Sequence, residues 1–208
     1  MSNLPVDDLP PHDRRRFFAA GFGRVLAPFA NYVGRRMGMD AGAGLPLLRP
    51  PGALPEQAFL ETCHRCGRCA EVCPADAIRL VADDAGNRPG TPFIDPAGSA
   101  CVICDELACM KVCPSGALRL VDRLHIRIGA ARVAESVCVR TSGDDCTICI
   151  DRCPLGDVAI RLQADAVYVA IPLDNDDQLG LGCVGCGVCE HECPTTPKAI
   201  VVESGRLR

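Results

Sequence analysis

Sixteen cysteines fall into four groups of four, and each group ends in Cys-Pro. The first and last groups have the spacing C-x2-C-x2-C-x3-C-P, which is typical of [4Fe-4S] binding. The second group has a wider middle gap and the third a wider first gap, but both keep the final C-x3-C-P. The spacing predicts four [4Fe-4S] clusters as cofactors. The predicted iron ligands, group by group, are Cys63, Cys66, Cys69 and Cys73; Cys101, Cys104, Cys109 and Cys113; Cys138, Cys146, Cys149 and Cys153; and Cys183, Cys186, Cys189 and Cys193.

Other kinds of site fit this spacing less well. Structural zinc sites usually pair two C-x2-C units across a longer span and do not need Pro after each fourth ligand. Disulfide frameworks belong mostly to short secreted chains, whereas this chain has 208 residues. Residues 180–185 match G-x-G-x-x-G but run into a cysteine group, without the strand and helix of a dinucleotide site. No arrangement for acid-base catalysis is present, so we predict an electron carrier rather than an enzyme.

Short strands and short helices must hold the cysteine groups in place. An apolar segment follows each Cys-Pro, and three of these segments alternate apolar residues with Arg, which predicts strands. These segments are residues 77–81, 117–121, 158–162 and 199–202. Further strands are predicted at residues 92–95, 125–128 and 167–171. The repeating unit of cysteine loop, short helix and strand predicts an α+β fold of the ferredoxin-like type.

The similarity of the first and last groups suggests how the groups pair. In two-cluster proteins the Cys before Pro ligates the other cluster, so two groups bind as one unit. Because the two altered groups lie between the regular ones, we predict two nested modules. The outer module covers residues 56–90 plus 170–208, and the inner module covers residues 91–169. Pairing in chain order is the alternative, and spacing alone does not exclude it. The nested ligand sets are Cys63, Cys66 and Cys69 with Cys193; Cys183, Cys186 and Cys189 with Cys73; Cys101, Cys104 and Cys109 with Cys153; and Cys138, Cys146 and Cys149 with Cys113.

Three stretches resemble the NapG/MauM family of ferredoxin-type proteins with four clusters, namely residues 90–93, 101–118 and 146–155. The resemblance covers about residues 56–203 and includes all sixteen cysteines. It implies an electron conduit that takes electrons from a membrane quinol-oxidising polyferredoxin and passes them to a periplasmic enzyme or cytochrome. Two alternatives stay open: a non-catalytic electron-transfer subunit of a larger oxidoreductase, or a structural or redox-sensing iron-sulfur protein. Four linked clusters favour transport over sensing.

The N-terminal segment, residues 1–44, allows two interpretations. The run Asp13–Phe18 fits a twin-arginine export motif, and Ala41–Ala43 offers small residues for cleavage. This interpretation predicts a periplasmic protein that is exported after folding. Alternatively, apolar residues within 14–37 recur at helical spacing, which predicts a basic amphipathic helix. Such a helix would hold a cytoplasmic protein against the membrane surface.

Proline content and charge complete the predicted organisation. A Pro-rich stretch at residues 45–55 is predicted to be a linker before the cysteine region, residues 56–208. The net charge of −4 opposes nonspecific binding to phosphate backbones, so we expect no nucleic-acid partner. The expected partners are a redox-protein donor and a redox-protein acceptor.

Overall fold

The computed structural model describes residues 47–82, 89–172 and 181–204. The compact unit that contains them extends from Leu45 to Arg208. The export motif and the amphipathic helix predicted within residues 1–44 lie outside the described residues. In the described part of the chain, no helix has the length and apolar character needed to cross a membrane.

Short helices and strands alternate along the described chain. The α-helices are α1 (Glu56–Thr62), α2 (Arg68–Glu71), α3 (Ala108–Lys111), α4 (Ile148–Asp151) and α5 (Val188–Glu192). The strands are β1 (Ile78–Leu80), β2 (Pro92–Ile94), β3 (Ala130–Val133), β4 (Ile160–Gln163), β5 (Ala166–Val169) and β6 (Ile200–Glu203). The 3-10 helices are Arg123–His125, Val139–Ser142 and Gly156–Val158.

Helices α2 to α5 repeat along the chain at a constant interval. They begin 40 residues apart, at Arg68, Ala108, Ile148 and Val188. Each contains the third cysteine of its group and ends shortly before the Cys-Pro. Gly67 and Gly187 precede α2 and α5 with φ of 75° and 89°, in the left-handed region that Gly adopts without a steric cost. The short helix of the predicted repeating unit is therefore present in all four groups.

The repeats combine into two modules of the same plan, an N-terminal module (residues 47–128) and a C-terminal module (residues 129–204). In the N-terminal module β1 and β2 form an antiparallel hairpin, and in the C-terminal module β4 and β5 do the same. The C-terminal module also pairs β3 with β6, again antiparallel. An isolated bridge between Ala53 and Leu118 occupies the equivalent place in the N-terminal module.

Residues 47–55 pack into the N-terminal module and do not form the linker that their proline content predicts. Leu48 forms a bridge with Ile94 at the edge of the β1–β2 hairpin. Pro50 and Pro51 are among the fully buried side chains. Because proline lacks an N–H donor, this segment makes isolated bridges where β3 makes a continuous ladder.

Two predicted strands are absent, and one strand was not predicted. Strands β1, β2, β4, β5 and β6 lie where the sequence predicts strands. In residues 117–121 only Leu118 forms an isolated bridge, and this segment does not form a strand. Residues 125–128 begin in a 3-10 helix, and none of them lies in a strand. Strand β3 (Ala130–Val133) begins two residues after the segment 125–128 that was predicted as a strand.

The hydrophobic core of the N-terminal module extends across the module boundary. Phe59, Ile103 and Ile126 are buried in this core, together with Val184 and Cys186 of the C-terminal module. A second core within the C-terminal module contains residues of β3 and β6 together with Cys183, Cys189 and Cys193. The two modules are therefore packed against each other through the loop that carries Cys186.

Candidate iron-sulfur sites

The sixteen cysteines surround four cavities, each lined by cysteines from two groups. Three cysteines come from the loop and helix of one group, and the fourth is the Cys before Pro of another group. The sites are site A (Cys63, Cys66, Cys69 and Cys113), site B (Cys101, Cys104, Cys109 and Cys73), site C (Cys183, Cys186, Cys189 and Cys153) and site D (Cys138, Cys146, Cys149 and Cys193). Every ligand that the sequence predicts thus lies in one of the four sites.

This grouping contradicts the nested pairing and agrees with pairing in chain order. The first group shares its sites with the second, and the third with the fourth. The reason is local: the β1–β2 hairpin folds the chain back after Cys73, so that α2 packs against α3. In the same way α4 packs against α5. The predicted outer and inner modules are therefore wrong, and modules of residues 47–128 and 129–204 replace them.

The cavities fit a polynuclear cluster better than a single metal ion. Their volumes, including the space at their mouths, are about 330, 400, 360 and 390 Å³ for sites A to D. Within the described residues, no three His, Cys, Asp or Glu side chains are placed to hold one metal ion. All sixteen cysteines are free thiols. Thiolates that surround a cavity without converging on one point suit the corners of an iron-sulfur cube.

Backbone N–H groups donate to the first cysteine of two loops. The N–H of Arg65 lies 3.4 Å from Cys63 Sγ, and the N–H of Gly185 lies 3.4 Å from Cys183 Sγ. Both donors have left-handed backbone, with φ of 54° at Arg65 and 72° at Gly185. This conformation turns the N–H towards the sulfur two residues earlier. Donors at these positions stabilise negative charge on a ligated thiolate.

The cysteines before Pro receive hydrogen bonds from the residues that follow them. The N–H of Leu118 lies 3.4 Å from Cys113 Sγ, and the Ser115 hydroxyl lies 3.6 Å from it. The Thr195 hydroxyl lies 3.2 Å from Cys193 Sγ. Burial raises the thiol pKa of both cysteines, but these hydrogen bonds outweigh it and leave the pKa lowered. Sequence reasoning missed both hydroxyls, although each lies two residues after a Cys-Pro cysteine.

The inner cysteines of sites B and C have raised pKa values. Burial, followed by the charges of neighbouring thiolates, raises the pKa of Cys109 to about 12. Burial likewise raises the pKa of Cys101 and Cys186 to about 12, against the lowering effect of a backbone hydrogen bond at each. Burial also raises the pKa of Cys189. Thiolates in such surroundings need a cationic partner, which ligated iron supplies.

Solvent exposure differs between the four sites. Cys66 of site A is the one exposed cysteine among the sixteen, whereas Cys183, Cys186 and Cys189 of site C are buried. His64 lines the cavity of site A, and His191 lies near site C with its Nδ1 3.1 Å from the Pro96 carbonyl oxygen. Neither histidine takes a ligand position, because each cavity already has four cysteines.

A family model described as "4Fe-4S dicluster domain" matches residues 62–117. This span contains all eight cysteines of sites A and B, and so agrees with pairing of the first group with the second.

Relatives at 35–39% identity match most of the chain. The "Methylamine utilization ferredoxin-type protein MauM" of Methylorubrum extorquens is 39% identical over 162 residues, which cover 74% of this chain and 71% of that protein. The "Ferredoxin-type protein NapG" of Escherichia coli is 35% identical over 204 residues, which cover 92% of this chain and 86% of that protein. The MauM protein of Paracoccus denitrificans is 37% identical over 162 residues, 74% of this chain and 70% of that protein. By this similarity over most of its length, the chain belongs to the NapG/MauM family of ferredoxin-type proteins.

Proposed function

We propose that the protein relays single electrons through four [4Fe-4S] clusters, held in sites A to D, between a membrane-associated quinol-linked donor and a redox enzyme or cytochrome. The observation that carries the proposal is the convergence of sixteen cysteines on four separate cavities, each with four thiol ligands. A bound [4Fe-4S] cluster accepts and releases one electron without forming or breaking a covalent bond to another molecule. One protein with four such sites can therefore conduct electrons over a distance that one site cannot span.

The chain's own residues bind the clusters and adjust their environment. Three loop thiolates and one thiolate from the partner group hold each cluster. N–H donors such as those of Arg65 and Gly185 stabilise charge on the ligated sulfurs. Burial of site C excludes water from the interior, while the exposed Cys66 brings site A to the surface. Such an arrangement suits a carrier whose electrons enter and leave through the protein surface.

The donor and the compartment also belong to this proposal. The resemblance to NapG and MauM proteins supports a quinol-linked donor at the membrane. The twin-arginine run within residues 13–18 supports export to the periplasm in folded form. The mature N-terminus decides this point: cleavage near residue 43 supports export, whereas a retained N-terminus supports a cytoplasmic protein that contacts the membrane through residues 14–37.

Anaerobic purification from the native host tests the proposal. We expect about 16 irons and a matching amount of labile sulfide per chain, since four four-iron clusters are bound. The purified protein should be reduced by a quinol-linked membrane fraction and reoxidised by a redox protein of the host. Zinc in place of iron would contradict the cofactor assignment. Full iron content with no exchange of electrons would contradict the relay and support a sensing or structural role.

A further inference from the structure

The two modules meet where site B lies beside site C. The N–H of Cys101, a site B ligand, donates to the carbonyl oxygen of Cys186, a site C ligand, at 2.9 Å. A second bond joins the N–H of Ile128 to the carbonyl oxygen of Val184, also at 2.9 Å. Ligands of the two sites are thus joined through one backbone hydrogen bond.

At this boundary, two glycines of the site C loop lie so close to neighbouring residues that a side chain at either position would clash. A Cβ at Gly187 would lie 2.8 Å from the Pro96 side chain of the N-terminal module. A Cβ at Gly185 would lie 2.3 Å from the backbone nitrogen of Gly129, the residue that directly follows that module. Both glycines belong to the cysteine loop of site C. The loop of site C therefore packs directly on the N-terminal module.

Helix packing gives the neighbouring sites within each module. Helix α2 of site A packs against α3 of site B, and α4 of site D packs against α5 of site C. Together with the hydrogen bond between Cys101 and Cys186, these contacts join A with B, B with C, and C with D.

We propose that electrons cross between the modules at the contact of Cys101 with Cys186, so that the sites act in the order A, B, C, D. This order differs from the order of the cysteine groups along the chain, in which the group of site D precedes that of site C. It rests on the proposed function. At each step one site is oxidised as its neighbour is reduced, and no proton or bond changes place. One partner redox protein delivers an electron at one end, over site A or site D, and another removes it at the other end.

Exposure agrees with this order. Site A contains the exposed Cys66, and the loop that leads to Cys146 of site D is exposed from Thr141 to Asp145. Three of the four cysteines of site C, by contrast, are buried. Because electron tunnelling weakens steeply with distance, partners exchange electrons fastest at sites A and D.

Removal of single sites, followed by electron paramagnetic resonance of the reduced full-length protein, tests the order. Cys104→Ala removes site B and Cys146→Ala removes site D, and these two cysteines have the same intermediate exposure. Cys66→Ala removes site A and so assigns its signal. In Cys104→Ala we expect the signals of sites A and C each to lose the spin-spin interaction with site B. The interaction between sites C and D should remain. In Cys146→Ala only the signal of site C should change.

Opposite results would overturn the order. If sites act in chain order, Cys146→Ala would remove an interaction from site B, and Cys104→Ala would remove one from site D. Interaction of site B with neither site of the C-terminal module would contradict the crossing itself. Iron content is measured first, because a wild-type protein without iron contradicts the proposed function, whereas full iron with the chain-order pattern contradicts only this inference. If alanine costs more than one site's iron, serine at the same position keeps the cluster with an oxygen ligand and shifts its potential. The neighbours' signals are then compared at a potential where that cluster alone stays oxidised.

Discussion

At the scale of single residues, the cysteine loops use left-handed backbone to aim N–H groups at sulfur. Arg65, Ile103 and Gly185 occupy the position before the second cysteine in three loops, and each has a positive φ. Glycine adopts this conformation freely, but a side chain there costs about 1–2 kcal/mol. Arg65 and Ile103 therefore hold strained backbone whose N–H groups face cluster ligands.

The strain at Arg65 predicts a stabilising substitution. Arg65→Gly keeps the N–H that donates to Cys63 and removes the steric cost of a positive φ. Part of this gain is offset, because glycine increases the conformational entropy of the unfolded chain. We expect a gain of about 0.5–1 kcal/mol, which would raise the midpoint of thermal cluster loss by roughly 1–4 °C. Absorbance of the iron-sulfur chromophore during anaerobic heating measures this midpoint.

Arg68→Gly provides the matched control for Arg65→Gly. Arg68 is also exposed, and its substitution removes one positive charge beside the same site. Arg68 begins helix α2, so glycine there should destabilise by about 0.5–1 kcal/mol. Equal changes in both variants would show that charge, and not backbone strain, governs stability at this loop.

The hydroxyl of Thr195 predicts a change in reduction potential. It lies 3.2 Å from Cys193 Sγ, a ligand of site D. Reduction makes the ligated sulfurs more negative, so this hydrogen bond favours the reduced state. If the bond strengthens by about 1 kcal/mol on reduction, Thr195→Val should lower the one-electron potential of site D by about 40 mV. A redox titration followed by electron paramagnetic resonance measures the shift.

Thr195→Ser separates the hydroxyl from the methyl group. Serine keeps the donor to Cys193 and the acceptor for the N–H of Ala199, which bonds Thr195 Oγ1 at 2.8 Å. The potential of site D should therefore stay close to that of the wild type. A similar fall in potential in both variants would assign the effect to packing around the site.

At the scale of elements, the segment before the first cysteine group illustrates what the sequence could and could not predict. Residues 47–55 contain Pro50, Pro51 and Pro55, and this composition is typical of a linker. Their burial depends on Ile94 and Leu118, which are distant in the chain, so no local pattern reveals it. Strands β1 and β4 were predictable because they alternate apolar residues with Arg over their own length. Residues 117–121 have the same pattern but form no strand, so the pattern alone is not sufficient.

A buried arginine fixes this N-terminal segment to the module. Arg49 is only 7% exposed and donates to both carboxylate oxygens of Glu56, at 2.9 and 2.6 Å. It also donates to Thr91 Oγ1 at 3.1 Å and to the Pro92 carbonyl oxygen at 2.9 Å. Its guanidinium lies 4.9 Å from the centre of the Phe59 ring. One side chain thus joins the segment to α1 and to the start of β2.

Removal of Arg49 should destabilise the N-terminal module. Arg49→Ala leaves buried acceptors at Thr91 and Pro92 without this donor, so we expect a loss of about 2–4 kcal/mol. Arg132→Ala is the control, because Arg132 bonds Glu203 at 2.8 Å between β3 and β6 but is 57% exposed. An exposed pair contributes about 0–1 kcal/mol. Anaerobic urea unfolding measures both, and equal losses would contradict an anchoring role for Arg49.

At the scale of the whole molecule, the sequence predicts the ligands but misleads about their pairing. Similar spacing in the first and last groups reflects similar loops and does not report which loops are neighbours. The regular interval of 40 residues between the third cysteines, Cys69, Cys109, Cys149 and Cys189, indicates tandem repeats. Neighbouring repeats pack together because a short hairpin between them closes at little entropic cost. The contact of Cys101 with Cys186 depends on packing between modules and could not be predicted.

The pKa values differ between the ends and the middle of the molecule. In the middle, burial raises the pKa of Cys101 and Cys109 in site B to about 12. At the ends, burial raises the pKa of Cys69 in site A and Cys149 in site D to about 11. The ends also contain Cys113 and Cys193, whose hydrogen bonds lower their pKa. Protons therefore compete with iron more strongly in the middle.

This difference predicts how cluster assembly depends on pH. A thiol with a raised pKa keeps its proton to higher pH, so cluster binding must release that proton and becomes weaker as the pH falls. Apoprotein is reconstituted with ferrous iron and sulfide at about pH 9 and about pH 6. Thiols with raised pKa are protonated at both pH values, but Cys113 and Cys193 have a lowered pKa and release less than one proton near pH 9. Sites B and C, which contain neither of these cysteines, should therefore lose occupancy more steeply than sites A and D. Electron paramagnetic resonance at equilibrium, with signals assigned from the single-site variants, measures each occupancy. If solvent exposure of the ligands governed cluster loss instead, site A with its exposed Cys66 would lose its cluster first. That outcome would show that exposure outweighs competition between protons and iron.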